Sequence, residues 1–221
     1  MRVRRGTPLT ARCGPLITTI LNGAAGRWLR YRLGMTSAVS QTTEAERECL
    51  SRHARGRHNL VELGVMHGVT TALLRRVMAA AGVVSGIDPH PCGRLGVERL
   101  TAARGLAMSR RGQARLIRLT SSAAAAGWQS PIDFLFIDAD HSWAAIERDW
   151  SDWIPHVSTG GIVALHDSHQ LAGRDNLDTV RFTEEIVLHD PRVRRLEVVD
   201  SHTILERTGE VSPFGPSSRR E

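Results

Sequence analysis

The sequence predicts an α/β protein: a doubly wound, mostly parallel sheet that finishes in a C-terminal antiparallel hairpin. Two observations carry that expectation. Between residues 59 and 167, short apolar runs of strand length alternate with stretches of helical period. Beyond residue 190 the alternation stops, and two extended runs follow with only Asp200 and Ser201 between them.

Residues 1–40 show no clear period and are read as a basic N-terminal arm or lid. "TEAE" at 43–46 has the form of a capping box and opens a helix that runs to about Arg55. "NLVELG" (59–64) is the first strand, "TTALLRRVMAAAG" (70–82) a helix stopped by glycine, and "VVSGID" (83–88) the second strand. "GVERLTAARGLAMSR" is helical, and "ARLIRLT" (114–120) is the third strand. "IDFLFIDA" forms the fourth, "SWAAIERDWSDWIP" the helix after it, and "GGIVALHD" (160–167) the fifth. In that helix Trp143, Ile146, Trp150, Trp153 and Ile154 share one face, a stripe expected to pack on the sheet. "LDTVRFTEEIVLHD" is again helical, and "VRRLEVV" and "HTILER" form the hairpin. The domain then covers 41–208 as a Rossmann-like unit, and the Pro/Ser/Gly-rich 209–221 is expected to be a disordered tail.

Composition narrows the chemistry. All 29 basic side chains are arginine, so no lysine can serve as a base or Schiff-base partner. The formal charge is +6, but residues 1–35 hold seven arginines and no acid, which leaves −1 on the rest. The basicity therefore sits on the arm and not across the fold, and nucleic acid is not an expected partner. Cys13, Cys49 and Cys92 form no CxxC pair, against a disulfide framework or structural zinc and consistent with a reducing cytoplasm. No run approaches the roughly 18 apolar residues of a membrane span, so no stable membrane insertion is expected. The oligomeric state is left open, with a homo-oligomer compatible.

The polar residues gather where the strands end. The first strand closes in "ELGVMHG", placing Glu62, Gly64 and Gly68 as ExGxxxG, not the GxGxxG of a dinucleotide fingerprint. Glycine lets the backbone approach a ligand, and a cationic or zwitterionic ligand tolerates Glu62 where a pyrophosphate would not. Asp88 closes the second strand, where a carboxylate can accept both hydroxyls of a ribose. Ser121 and Ser122 follow the third, as a helix cap or as ligand contacts. Asp138 and Asp140 end the fourth strand, and His166 with Asp167 ends the fifth. If those strands are neighbours, the four converge, and three carboxylates in one cleft need protonation, a cationic partner or a metal.

With "VELGVMHG" and "GIDPHP" the chain resembles class I S-adenosylmethionine-dependent methyltransferases. The resemblance implies that fold, with Gly64, Gly68 and Asp88 among the cofactor contacts. Glu62, Ser121 and Asp138 are candidate contacts at the same rim. "DFLFIDADHSW" followed by "GGIVALHDSH" is similar to the metal-dependent small-molecule O-methyltransferases of the catechol, caffeoyl-CoA and antibiotic-tailoring type. By that resemblance the ligands of a divalent cation, Mg or Mn, are Asp138, His166 and Asp167. His166 stands where the family has a carboxylate, and imidazole favours Mn, Fe, Co or Zn over Mg. Some relatives use a lysine just after the fourth strand; here the base is Asp140 or His141. The expected activity is metal-assisted methyl transfer from S-adenosylmethionine to a hydroxyl of a small molecule. Its rivals are a nicotinamide-dependent oxidoreductase and a non-catalytic methyltransferase-like binding protein.

Overall fold

The computed structural model describes residues 24–35, 37–89, 97–172 and 177–209. Seven strands form one sheet: β1 (Asn59–Leu63), β2 (Val83–Ile87), β3 (Gln113–Ile117), β4 (Ile132–Ile137), β5 (Val157–Leu165), β6 (Val193–Val199) and β7 (His202–Arg207). Their order is β3-β2-β1-β4-β5-β7-β6, with β1 to β5 parallel and β7 antiparallel to both neighbours. This is the doubly wound sheet and hairpin that the alternation predicts.

The helices are α1 (Ala24–Arg32), α2 (Glu44–Ala54), α3 (Val69–Val77), α4 (Val97–Ala107), α5 (Ser121–Ala125), α6 (Trp143–Trp153) and α7 (Asp178–Glu185). Strand side chains alternate between faces, so each strand feeds two cores. Val61, Leu135 and Val163 pack with α6 and α7 through Ile146, Trp150, Trp153 and Phe182. Leu60, Phe134 and Ile162 pack with α2 and α3 through Leu50, Leu74 and Met78. Both faces of the central strands are buried, which is why they read as unbroken apolar runs.

α2 opens with the capping box, Thr43 Oγ1 accepting from Glu46 N and Glu46 Oε2 accepting from Thr43 N. Two elements differ from the sequence expectation. α3 ends at Val77, five residues before the stopping glycine, because the backbone turns away to bond elsewhere: Ala79 N donates to Arg57 O and Val77 O accepts from Gly56 N. Within the arm, α1 is a nine-residue helix docked on α4, with Arg104 over the Tyr31 ring and donating to Arg32 O. The expected tail beyond 209, and Cys13 and Cys92, lie outside the described residues.

Candidate active site

Strand register builds the site. Leu63 pairs with Ile87 and Ile137, and Ile137 with Leu165, so the next row across the strand ends is Asp88, Gly64, Asp138, His166. Backbone bonds continue into that row: Gly64 N donates to Ile87 O, Asp138 N to Leu63 O and His166 N to Ile137 O. On the other side Leu165 pairs with Thr203, which sets His202 beside His166. β2, β4 and β5 are each followed by an ionisable residue at the same height, beside Gly64 after β1, because the apolar runs end together.

Gly64 has φ +84°, and a Cβ there would lie 1.9 Å from the Asp138 carbonyl oxygen. Only glycine fits between the two strand tips. Gly68 also has positive φ (+70°), but it serves packing: its Cβ would strike Ala102 of α4, and it does not line the cleft. Asp88 Oδ2 accepts from both Val65 N and Met66 N at 2.9 Å, so the second-strand acid fastens the turn after β1.

The row borders a cleft of about 830 Å³ lined by Glu62, Gly64, Asp88, Ser121, Asp138 and His141, among others. Glu62 is buried and accepts from Thr71 Oγ1. Burial, with Asp138 and Asp88 nearby, pushes its carboxyl well above the ordinary range. Burial thus favours its protonated form. Ser121 opens α5, after the capping Thr120, and its Oγ accepts from Trp153 Nε1 at 2.7 Å.

At the tips of β4 and β5, His166 Nδ1 lies 2.9 Å from Asp138 Oδ1 and 3.5 Å from Asp167 Oδ2. His141 Nε2 lies 3.7 Å and 3.9 Å from the same two oxygens. Both ring nitrogens are buried and neither has the alignment of a hydrogen bond. Asp167 reaches the cluster from a left-handed backbone (φ +45°), with its carbonyl oxygen held by Thr179 Oγ1. Burial raises the Asp138 carboxyl, but the two imidazoles outweigh it and leave it below the usual carboxylate range. Asp138 in turn raises His141, and it raises His166 against the opposing effect of burial.

The sequence expected Asp140 in this cluster. Asp140 lines the cleft but lies outside the cluster: its side chain is exposed and Oδ1 accepts from Ser142 N, a local turn that leads into α6. His141, one residue on, is the side chain turned toward the carboxylates. Val39 and Ser40 of the expected arm or lid line the cleft beside Gln41, and Val39 N donates to His67 Nδ1. Sequence reasoning missed two further contributions. Asp149 lines the cleft too, buried between Ile146 and Trp150 on the inward face of α6, with its carboxyl raised by burial. An acid inside an apolar stripe was a readable signal. His202 and Glu46, both buried, back His166 from below, with His202 Nε2 3.8 Å from Glu46 Oε2.

Residues 61–168 match the methyltransferase domain family. The fold is shared with several solved structures. A putative rRNA-methylase from Clostridium thermocellum is 13% identical with a TM-score of 0.61, covering 78% of this chain and 99% of its own. An O-methyltransferase from Bacillus cereus, solved in complex with SAH, is 18% identical with a TM-score of 0.58, covering 88% and 96%. The O-methyltransferase TomG from Streptomyces achromogenes, involved in tomaymycin synthesis and solved with SAM, is 13% identical with a TM-score of 0.57, covering 84% and 90%. The methyltransferase resemblance read from the strand ends thus agrees with the domain match over residues 61–168, and the solved structures share the fold.

Proposed function

For a chain whose residues 61–168 form a methyltransferase domain, we propose transfer of a methyl group from S-adenosylmethionine to a hydroxyl of a small molecule, assisted by a divalent ion. The observation that carries this reading is the convergence of Asp138, His141, His166 and Asp167 on one point beside the cleft. The likeness in fold to two O-methyltransferases supports the hydroxyl acceptor.

The cleft suits a sulfonium amino acid joined to a nucleoside. Glu62 supplies a carboxyl that a cationic ligand would ionise, and the Gly64 turn leaves room for close approach beside it. Asp88 fixes that turn at the position expected for ribose contact.

The residues at the tips of β4 and β5 fit a divalent cation. Two buried imidazole nitrogens without aligned hydrogen bonds face two carboxylate oxygens, so Asp138, His166 and Asp167 would hold it. When bound, the ion would supply Lewis-acid polarisation of the acceptor oxygen and lower its pKa. The protein's own part is to place that hydroxyl and receive its proton. Of the two candidate bases, Asp140 is exposed and its carboxyl is depressed chiefly by the Ser142 N–H, which makes it a poor proton acceptor. His141 Nε2 faces the reacting point and is the proton acceptor of choice in an ion-free site.

The test is calorimetric titration with S-adenosylhomocysteine, with and without a panel of divalent ions. Binding strengthened by an ion is expected. No binding under any condition would sink the methyltransferase reading, and binding indifferent to every ion would remove the metal from it. An RNA acceptor is the second reading, favoured only by the likeness to the putative rRNA-methylase. Methyl incorporation into total RNA, with none into phenolic or sugar hydroxyls, would replace the first reading with it.

A further inference from the structure

We infer that the ion site is a four-side-chain set, Asp138, His141, His166 and Asp167, that selects a nitrogen-preferring transition ion such as zinc, cobalt or iron over magnesium. The inference rests on the metal reading above and deepens it in two ways. It adds His141 to the ligands, and it names the class of ion.

Donor chemistry carries the choice of ion. Magnesium favours oxygen donors, whereas imidazole suits the later first-row ions. Ligand atoms of Asp138, His141 and His166 lie within 4.8 Å of one another, so two nitrogens and a carboxylate oxygen share one small volume. Asp167 Oδ2 stands 3.5 Å and 3.9 Å from the two nitrogens. The centroids of the two rings are 6.1 Å apart and their planes are tilted by 38°.

Burial argues that His141 Nε2 is a ligand; with an ion bound it would have no lone pair left to act as base, and the proton of the ion-acidified acceptor would pass to solvent. Its Nε2 is shielded from solvent and makes no aligned hydrogen bond, with Asp138 Oδ1 and Asp167 Oδ2 at 3.7 Å and 3.9 Å, although a third of the side chain is exposed. A nitrogen aimed inward between two carboxylates is placed as a ligand. His166 is set more firmly: its ring sits edge-on to those of Phe136 and His202, with centroids 6.4 Å and 5.0 Å away. That packing fixes its orientation before any ion arrives.

A competing set, Glu46 with His166 and His202, is less suited. Glu46 Oε1 already accepts from Ser201 N and Oγ, and Oε2 accepts from Thr43 N. Those bonds join α2 to the β6–β7 turn, and an ion would have to displace them.

The full chain, stripped with chelator, is titrated with Co²⁺ by visible absorption and with Zn²⁺ and Mg²⁺ by calorimetry, in the absence of methyl donor. Zn²⁺ and Co²⁺ are expected to bind at least about 100-fold more tightly than Mg²⁺. His141→Gln should weaken Co²⁺ about tenfold or more and move its visible band. His166→Asp should narrow the preference toward Mg²⁺. His141→Ala is run beside His141→Gln, with melting curves to confirm that each is folded. Equal affinity for Mg²⁺ and Co²⁺ would overturn the ion class. An unchanged Co²⁺ band and affinity in both folded His141 variants would overturn the ligand assignment. Failure of every ion to bind would defeat the metal reading itself and return His141 to the base role, leaving methyl-donor binding as a separate question.

Discussion

At the residue scale the most telling group is Glu62, a buried carboxyl kept neutral by its surroundings. Its folded pKa lies above its unfolded one, so the proton it holds stabilises the folded state at low pH, and that contribution fades as pH rises toward the folded value. The melting temperature of the ligand-free protein should therefore fall more between pH 5 and pH 8 in the wild type than in Glu62→Gln. Parallel curves for the two would show that Glu62 ionises freely in the fold. Gly64 allows a second prediction. Gly64→Ala drives a methyl into the Asp138 carbonyl at a backbone angle alanine rarely adopts, and should cost more than about 2 kcal/mol in denaturant unfolding. Both residues stood out in the sequence as part of ExGxxxG. Gly68 looked equivalent there, yet it faces Ala102, because spacing along a turn does not reveal which side of the backbone is crowded.

At the element scale the capping box of α2 does more than start a helix. Glu46 also accepts from Ser201 N and Oγ, and Thr43 Oγ1 donates to Asp200 Oδ2, so the helix start is tied to the β6–β7 turn. Glu46→Ala should therefore destabilise by roughly 3 kcal/mol or more, beyond the loss of about 1 kcal/mol for an ordinary cap. Urea unfolding of Glu46→Ala beside Glu44→Ala, a first-turn acid that makes none of these ties, separates the two effects. Equal losses would mean the tie is worth nothing. The capping box itself was legible in "TEAE", because its four residues are local. Its link to Ser201 was not, since 155 residues separate the partners. Helix α1 was not placed for a related reason: what seats it is a tertiary contact with α4.

At the scale of the whole molecule, the cleft joins strand ends, α6 and the arm segment Val39–Gln41 into one ligand surface. Ligand binding should therefore stabilise the entire fold. S-adenosylhomocysteine at about 100 times its dissociation constant is expected to add about 2.7 kcal/mol, read as a rise in melting temperature. A deletion of residues 1–41 should lower that rise if the arm closes on the ligand; an unchanged rise would confine recognition to the strand ends. Among the described residues no helix is long and apolar enough to cross a membrane.

From Thr43 onward, local pattern was enough to read the succession of strands and helices, the two-faced burial of the central strands, and the acids and imidazoles at the ends of β1, β2, β4 and β5. These follow from local patterns: a period of two or 3.6, a run of apolar residues, and the position where that run stops. Tertiary structure alone decided which of those polar groups meet. Strand register aligned Asp138 with Gly64 and His166, the left-handed turn at Asp167 swung its carboxylate inward, and the Asp140 turn gave the inward position to His141. Apolar patterning limits the register of each strand, but which strands become neighbours and which way each turn faces depend on packing between segments distant in sequence.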